Sequence, residues 1–223
     1  MLGSHYDGHD IAQGAIDPAS GVVVVLETAR ILAKHATELD CTVRFALWCA
    51  EEIGLLGSTA YTKTHADDLD NIRFYLNMDS CGHGINDIVL NEWAKLQPYF
   101  ENYAQEMIHD FVVEQSLHTF SDHYPFFMEG VPTGSMTPIR HKQKGRGYGH
   151  TMYDTVDKVP LPNLHIASAL ASRLALRVAC QQNFPVSRRT QESVITILNA
   201  NSEYHEEQLL QERINAFVLD NVK

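Results

Sequence analysis

The stretch Thr42-Val43-Arg44-Phe45-Ala46-Leu47-Trp48-Cys49 runs straight into Ala50-Glu51-Glu52, and this junction decides the fold. A short run rich in β-branched, aromatic and aliphatic residues predicts a buried strand. The acidic pair falls just past its carboxyl end. Ile72-Arg73-Phe74-Tyr75-Leu76-Asn77-Met78 repeats the pattern and is followed by Asp79. Shorter strand candidates stand at Ile88-Val89-Leu90 and after Val131.

Helical patterns lie between these runs. One starts at Asp17-Pro18, read as an N-cap with proline at the first helical position, and continues to about His35. The valine run Val22 to Val25 is β-prone by propensity, but its place between that cap and Leu26 to Ile31 favours a buried helix. A second helix covers about Leu96 to Phe111. A third, Asn163 to Cys180, carries Ile166, Leu170, Leu174 and Val178 as a core-facing stripe. Strands alternating with helices predict an α/β protein with a mostly parallel sheet covered on both faces.

At 223 residues the chain is long enough for one substantial core, and 44% apolar with 20% charged residues is ordinary for a globular protein. A net charge of -11 argues against a nucleic-acid surface and against docking at an anionic membrane. No run approaches the roughly 18 apolar residues of a membrane span. Met1 to His5 shows neither the charged nor the apolar region of a signal peptide. Cys41, Cys49, Cys81 and Cys180 form no Cys-x-x-Cys pair, so a reducing, cytoplasmic setting is the default expectation. Chain ahead of Met1 could still have carried an export signal.

Twelve histidines direct attention to their neighbours. His5 and Asp7 follow the first apolar residues, Glu51 and Glu52 the Thr42 strand, and Asp79 the Ile72 strand. Asp17 falls on the same side, and His150 follows the Gly-rich Gly145-Arg146-Gly147-Tyr148-Gly149. In open parallel sheets, ligands bind beyond the carboxyl ends of the strands. Imidazole with carboxylates suits zinc, with manganese or cobalt as substitutes. Seven such residues exceed what one catalytic zinc with an open position needs, and five of them suffice for two ions sharing a bridging carboxylate about 3.5–4 Å apart. Successive side chains of an extended chain point oppositely, so one glutamate of the adjacent pair can bind metal while the other faces the bound water. Any one of these pieces alone would be an ordinary surface pair or helix cap; their joint placement at strand ends is what carries weight.

At these residues the chain closely resembles the co-catalytic di-zinc aminopeptidase family, which also contains glutamate carboxypeptidases and glutaminyl cyclases. The matching stretches are Gly3-Ser4-His5-Tyr6-Asp7, Gly14 to Gly21, Leu47 to Ser58, Asn77-Met78-Asp79, Ser121-Asp122-His123 with Phe126 or Phe127, and His150 to Thr155. The resemblance implies a three-layer α/β/α fold with a mostly parallel, mixed central sheet. It implies two zinc ions, one held by His5 and Asp79 and one by Glu52 and His150, with Asp17 bridging and Glu51 as general base. Asp7 would orient His5, and Asp122 would belong to the same network. The implied reaction removes N-terminal residues from a peptide substrate. Phe126, Phe127 and Met128 would line an apolar pocket for the first side chain or simply pack in the core.

Three departures stand out. Pro18 follows the bridging aspartate, where the family more often has a small polar residue. Gly149 precedes His150, where some members carry an oxyanion-binding tyrosine, and Tyr148 is one position off. Only four residues precede His5, which predicts a truncated start, an exposed apolar edge or face near residues 1–5, and weaker binding at His5 and Asp79.

Rival readings are a glutaminyl cyclase, a carboxypeptidase and a non-catalytic binding module. A carboxypeptidase needs a basic clamp, for which Arg140, His141 and Lys142 are the candidates. Residues 1–180 form the expected catalytic domain and 181–223 a C-terminal helical extension. In the extension, Leu210, Ile214, Phe217 and Val218 form a helical stripe after a cap at Ser202, with Val194, Ile197 and Leu198 ahead of it. Such a hairpin could dock on its own domain or pair subunits of a homo-oligomer.

Overall fold

Along Tyr75-Leu76-Asn77-Met78 the strand period of two sends Leu76 and Met78 to one face of the sheet and Tyr75 to the other. That division organises the whole computed structural model, which describes residues 1–107, 111–137, 147–201, 204, 205 and 209.

Among the described residues six strands form one sheet: β1 (Leu2–His5), β2 (Phe45–Trp48), β3 (Tyr75–Met78), β4 (Asp87–Val89), β5 (Val112–Glu114) and β6 (Thr133–Thr137). Their order is β2-β1-β3-β6-β4-β5. Strands β2, β1, β3 and β6 run parallel, and β4 is antiparallel to β6 but parallel to β5. The sheet is therefore mixed and mostly parallel. Helices α1 (Ser20–Ala33) and α5 (Leu161–Ala179) cover one face, packing Val24, Val25, Leu170 and Leu174 on Leu2, Leu76 and Met78. Helix α3 (Gln97–Ala104) adds Phe100 to this core. On the other face lie α2 (Leu56–Thr64) and α4 (His123–Met128), where Trp48, Tyr75, Phe126 and the half-buried Tyr61 meet. Helix α6 (Gln191–Ala200) sets Val194 and Leu198 against Leu117 and Phe127. No helix among the described residues is long and apolar enough to cross a membrane.

Several sequence expectations change. The first long helix begins at Ser20, not at Asp17. Asp17 is extended (φ -123°, ψ 102°) inside a wide turn, Ala15–Ala19, and its bond to Pro18 is cis. It is a loop residue turned toward the sheet rather than a cap. Of the exposed apolar edge or face expected near residues 1–5, β1 itself shows none: it lies between β2 and β3 with all four residues buried. The open edge belongs instead to β2, where Leu47 is 41% exposed. Arg140, His141, Lys142, Ser202 and the stripe Leu210, Ile214, Phe217 and Val218 lie outside the described residues.

One glycine sets how closely helix and sheet approach. At Gly21, in the first turn of α1, a Cβ would collide with the main-chain oxygens of Met78 and Asp79. Only a residue without a side chain lets α1 start directly over the end of β3.

Candidate metal centre

The parallel strands β1, β2 and β3 end side by side, so whatever follows them is brought together. His5 closes β1 and is 1% exposed. Its Nδ1 lies 2.9 Å from the main-chain oxygen of Asp7. A carbonyl can only accept, so Nδ1 carries a proton and Nε2 is the nitrogen turned to the crevice, where a cation would take the place of its proton. That Nε2 lies 3.2 Å from Asp17 Oδ1 and 3.3 Å from Asp79 Oδ1. Asp7 thus orients His5 chiefly through its main chain. Its carboxylate Oδ1 stands 3.8 Å from the ring and accepts the backbone N–H of Glu51 (3.1 Å), while Oδ2 accepts that of Glu52 (3.3 Å).

The other oxygen of Asp17, Oδ2, lies 3.1 Å from His150 Nε2, which is itself 3.2 Å from Glu52 Oε2. One carboxylate therefore faces both imidazoles, one through each oxygen. The turn holding it is anchored by Asp154, whose buried carboxylate accepts the N–H groups of Ile16 (2.7 Å) and Asp17 (3.1 Å).

Asp79 is fixed by a buried relay. Trp48 Nε1 donates to Tyr75 Oη (2.8 Å), Tyr75 to Asn77 Oδ1 (3.0 Å), Asn77 Nδ2 to Ser121 Oγ (2.8 Å), and Ser121 to Asp79 Oδ2 (2.6 Å). Gly3 makes room for its start, because a Cβ there would press on Tyr75 Oη at 2.6 Å and Trp48 Nε1 at 2.8 Å. Ala50 (φ 58°), Ser121 (φ 87°) and His150 (φ 58°) hold left-handed backbone around the crevice, a conformation that persists where surroundings over-determine it.

The electrostatics describe a cluster short of positive charge. Burial opposes a charged His5, but hydrogen bonds to Asp17 and Asp79 and the charges of Asp79 and Glu51 outweigh it and push its pKa up to about 12. Burial would raise Asp79, yet His5, Ser121 and Ser80 bring it down to about 2. Glu51 is raised to about 8 by burial and by the charge of Asp79, against the pull of His5. Glu52 is raised by burial and by Asp17. Asp122, fully buried, rises to about 7 through burial and the charges of Asp79 and Asp7, against Ser58 and His5.

The donor set fits divalent cations. Among the described residues, ligand atoms of His5, Asp17 and Asp79 lie within 4.8 Å of one another, as do those of His9, Glu52 and His150, and of His5, Glu51 and Glu52. Asp17 Oδ1 and Glu52 Oε1 are buried without a well-formed hydrogen bond, the condition in which an acceptor lone pair is open to a cation. Imidazole and carboxylate are zinc donors. His9, which no sequence pattern singled out, enters here; its signal was an imidazole four residues after His5.

Other expected residues sit elsewhere. Phe126 and Phe127 are fully buried, Phe126 stacked on Tyr75 with ring centroids 4.3 Å apart and Phe127 packed with Val194 and Leu198. They are core residues rather than walls of an open pocket. Tyr148 is 43% exposed, its ring 5.5 Å from Lys158 Nζ. A cavity of about 380 Å³ opens at the opposite, amino-terminal end of the strands, beside Met1, Arg44, Arg73 and Phe100, and none of the crevice residues named above lines it.

The sequence model of peptidase family M28 matches residues 1–175. Leupeptin-inactivating enzyme 1 of Streptomyces exfoliatus is 33% identical over 138 residues, which are 61% of this chain and 32% of that protein. Leucine aminopeptidase 2 of Trichophyton rubrum is 42% identical over 83 residues, covering 37% of this chain and 16% of its own. The chain thus spans a third or less of the length of these curated relatives. The crystal structure of BSAP, a zinc aminopeptidase from Bacillus subtilis, shares the fold with a TM-score of 0.69 at 24% identity, covering 81% of this chain and 46% of that one.

Proposed function

The chain belongs to peptidase family M28, and from that premise we propose that it is a zinc aminopeptidase that removes N-terminal residues from peptides with two metal ions per chain. The observation that carries this reading is the placement of Asp17, with one carboxylate oxygen 3.2 Å from His5 Nε2 and the other 3.1 Å from His150 Nε2. A carboxylate so placed suits a bridge between two ions. His5 and Asp79 would hold one ion, Glu52 and His150 the other, with manganese or cobalt as substitutes. Ions bound there would lower the pKa of a water and polarise the scissile carbonyl.

The chain's own residues do the rest. Glu51, tethered through its main chain to Asp7, takes the water proton at its carboxylate and returns it to the leaving amine. Burial favours a proton on this group, which suits a base that must hold one between the two transfers. A free substrate amino group would sit beside one ion and the nearby carboxylates, which favours the amino end of a peptide over its carboxyl end.

Elemental analysis of the purified protein, paired with a substrate panel, tests this. The expected result is close to two zinc per chain and hydrolysis of aminoacyl anilides carrying a free amine, with N-acetylated forms left intact. Cleavage of carboxyl-terminal residues or cyclisation of N-terminal glutamine in its place would move the function to one of those reactions. Absence of bound metal and of any turnover would leave a binding module.

A further inference from the structure

His9 stands outside the five residues that the two-ion reading uses, yet its ring is turned into the same crevice. Its Nε2 lies 2.9 Å from Glu52 Oε2, the oxygen that also stands 3.2 Å from His150 Nε2. The two imidazoles meet edge to face, with ring centroids 4.3 Å apart and planes at 69°. His150 Nε2 in turn lies 3.1 Å from Asp17 Oδ2. Donor atoms of His9, Glu52 and His150 therefore lie within 4.8 Å of one another, with Asp17 adjoining His150. Zinc bonds of about 2.0–2.1 Å place tetrahedral ligand atoms about 3.3 Å apart, close to each of these separations.

Resting on the two-ion reading, we propose that His9 is a fourth protein ligand to the ion held by Glu52, His150 and Asp17. The simpler account makes His9 a surface histidine hydrogen-bonded to a glutamate. It accounts for the 2.9 Å contact, but not for two imidazole nitrogens converging on the same Glu52 oxygen. Nor does it account for Glu52 Oε1, which is buried without a hydrogen bond on a side chain only 8% exposed. A cation between His9, Glu52 and His150 would satisfy both carboxylate oxygens and remove the need for two nitrogens to share one of them. The loop is also seated to bring His9 there. At Gly8, just before it, an added Cβ would lie 3.4 Å from the Asp17 main-chain oxygen and from the Pro18 ring, so the segment leading to His9 runs close beside the Asp17 turn. The ligand is thereby carried on a loop that lies against the turn holding the bridging carboxylate.

The two ions then differ in kind. Asp17, Glu52, His150 and His9 give one ion four protein donors, a closed set of the type that retains metal. His5, Asp17 and Asp79 give the other only three, the number that leaves a position open for water. The three-donor site is the weaker one, on donor count alone.

Zinc titrations against a competing chelator, with His9→Ala and His9→Asn beside the wild-type chain, decide the matter. Asparagine keeps a hydrogen-bond donor toward Glu52 but is a poor zinc ligand. The His9 side chain is 41% exposed, so both variants should fold, and circular dichroism and melting check that they do. The expected result is that both variants lose at least about 10-fold to 100-fold in affinity for one of two ions and keep the other within about twofold. Cobalt substitution should show altered d–d bands for that ion alone. Wild-type affinity and an unchanged cobalt spectrum in His9→Asn, in a chain that binds two ions, would overturn the assignment of His9 and leave the two-ion reading standing. A wild-type chain that binds fewer than two ions overturns both.

Discussion

The carboxylate of Asp7, two residues beyond β1, accepts the backbone N–H of Glu51, three residues beyond β2, at 3.1 Å. The tie joins the strand end that presents His5 to the turn that presents the base, and Asp7 Oδ2 extends it to the N–H of Glu52. The neighbouring strands are in register up to this point, with His5 opposite Trp48.

Replacing Asp7 by alanine leaves both N–H groups without their acceptor in a partly buried crevice. Hydrogen bonds to charged groups contribute about 1.5–3 kcal/mol each, so melting should drop clearly. Activity should fall about 10–100-fold, the usual cost of losing a group that orients metal ligands. An Asp7→Ala protein with native melting and native kcat/KM would show that the tie is idle.

Glu51 and Glu52 should fail in different ways. Glu51→Gln retains shape but cannot accept a proton, so kcat should fall about 10²–10⁴-fold with zinc content preserved. Glu52→Gln should lose zinc. If elemental analysis shows the reverse, the base and the ligand have been exchanged.

Asp154 is a positioning residue with no reach into the crevice. Its two oxygens receive the N–H groups of Ile16 and Asp17, and an amide would set an NH2 against one of them. Asp154→Asn should therefore weaken both ions together, by about 10-fold or more, because the displaced residue faces both imidazoles. Weakening of one ion only would contradict the bridge.

The metal-free protein should lose stability as pH rises. His5 is raised from 6.5 to about 12, so its contribution is complete below about 6.5 and is lost on the way up. Glu51, raised from 4.5 to about 8, and Asp122, raised from 3.8 to about 7, hold protons in the fold that the unfolded chain releases, which has the same sign. Asp79, lowered from 3.8 to about 2, acts oppositely, but only in acid. Melting with a chelator present should accordingly fall between about pH 5 and 9. Added zinc should cancel the fall, since its binding is helped by deprotonation. A metal-free melting point that climbs across that range would contradict the charge assignment.

Much of this site was legible because each residue stands at a strand end. The strands themselves came out shorter than their apolar runs: Thr42 to Arg44 stay outside β2, although the Arg44 carbonyl still accepts the N–H of Leu2. Helix α2 escaped notice because its buried positions are Ser58 and Thr62 rather than an apolar stripe. Strand β5 has three residues, too few for a period to declare itself. Asp17-Pro18 is a good helix start by local chemistry, and the main-chain bonds to Asp154, 137 residues away, take it elsewhere. Asn77 and Tyr75 look like ordinary strand residues until Ser121 arrives from a distant loop to complete the relay. Long-range hydrogen bonding of this kind has no local pattern.

The relay that ends on Asp79 begins on an indole, and that makes the protein its own optical probe. Trp48 is one of two tryptophans, its N–H bonded to Tyr75 and its ring packed against Tyr61 and Phe126. The other, Trp93, lies under the guanidinium of Arg189, 3.6 Å from the ring centroid, on a separate part of the fold. Any change in the charge borne by Asp79 alters the polarisation of a chain of four hydrogen bonds and hence the field across the Trp48 ring. In a Trp93→Phe background, the emission of Trp48 would then report the filling of the His5 side of the crevice in real time, without a dye, a label or a substrate.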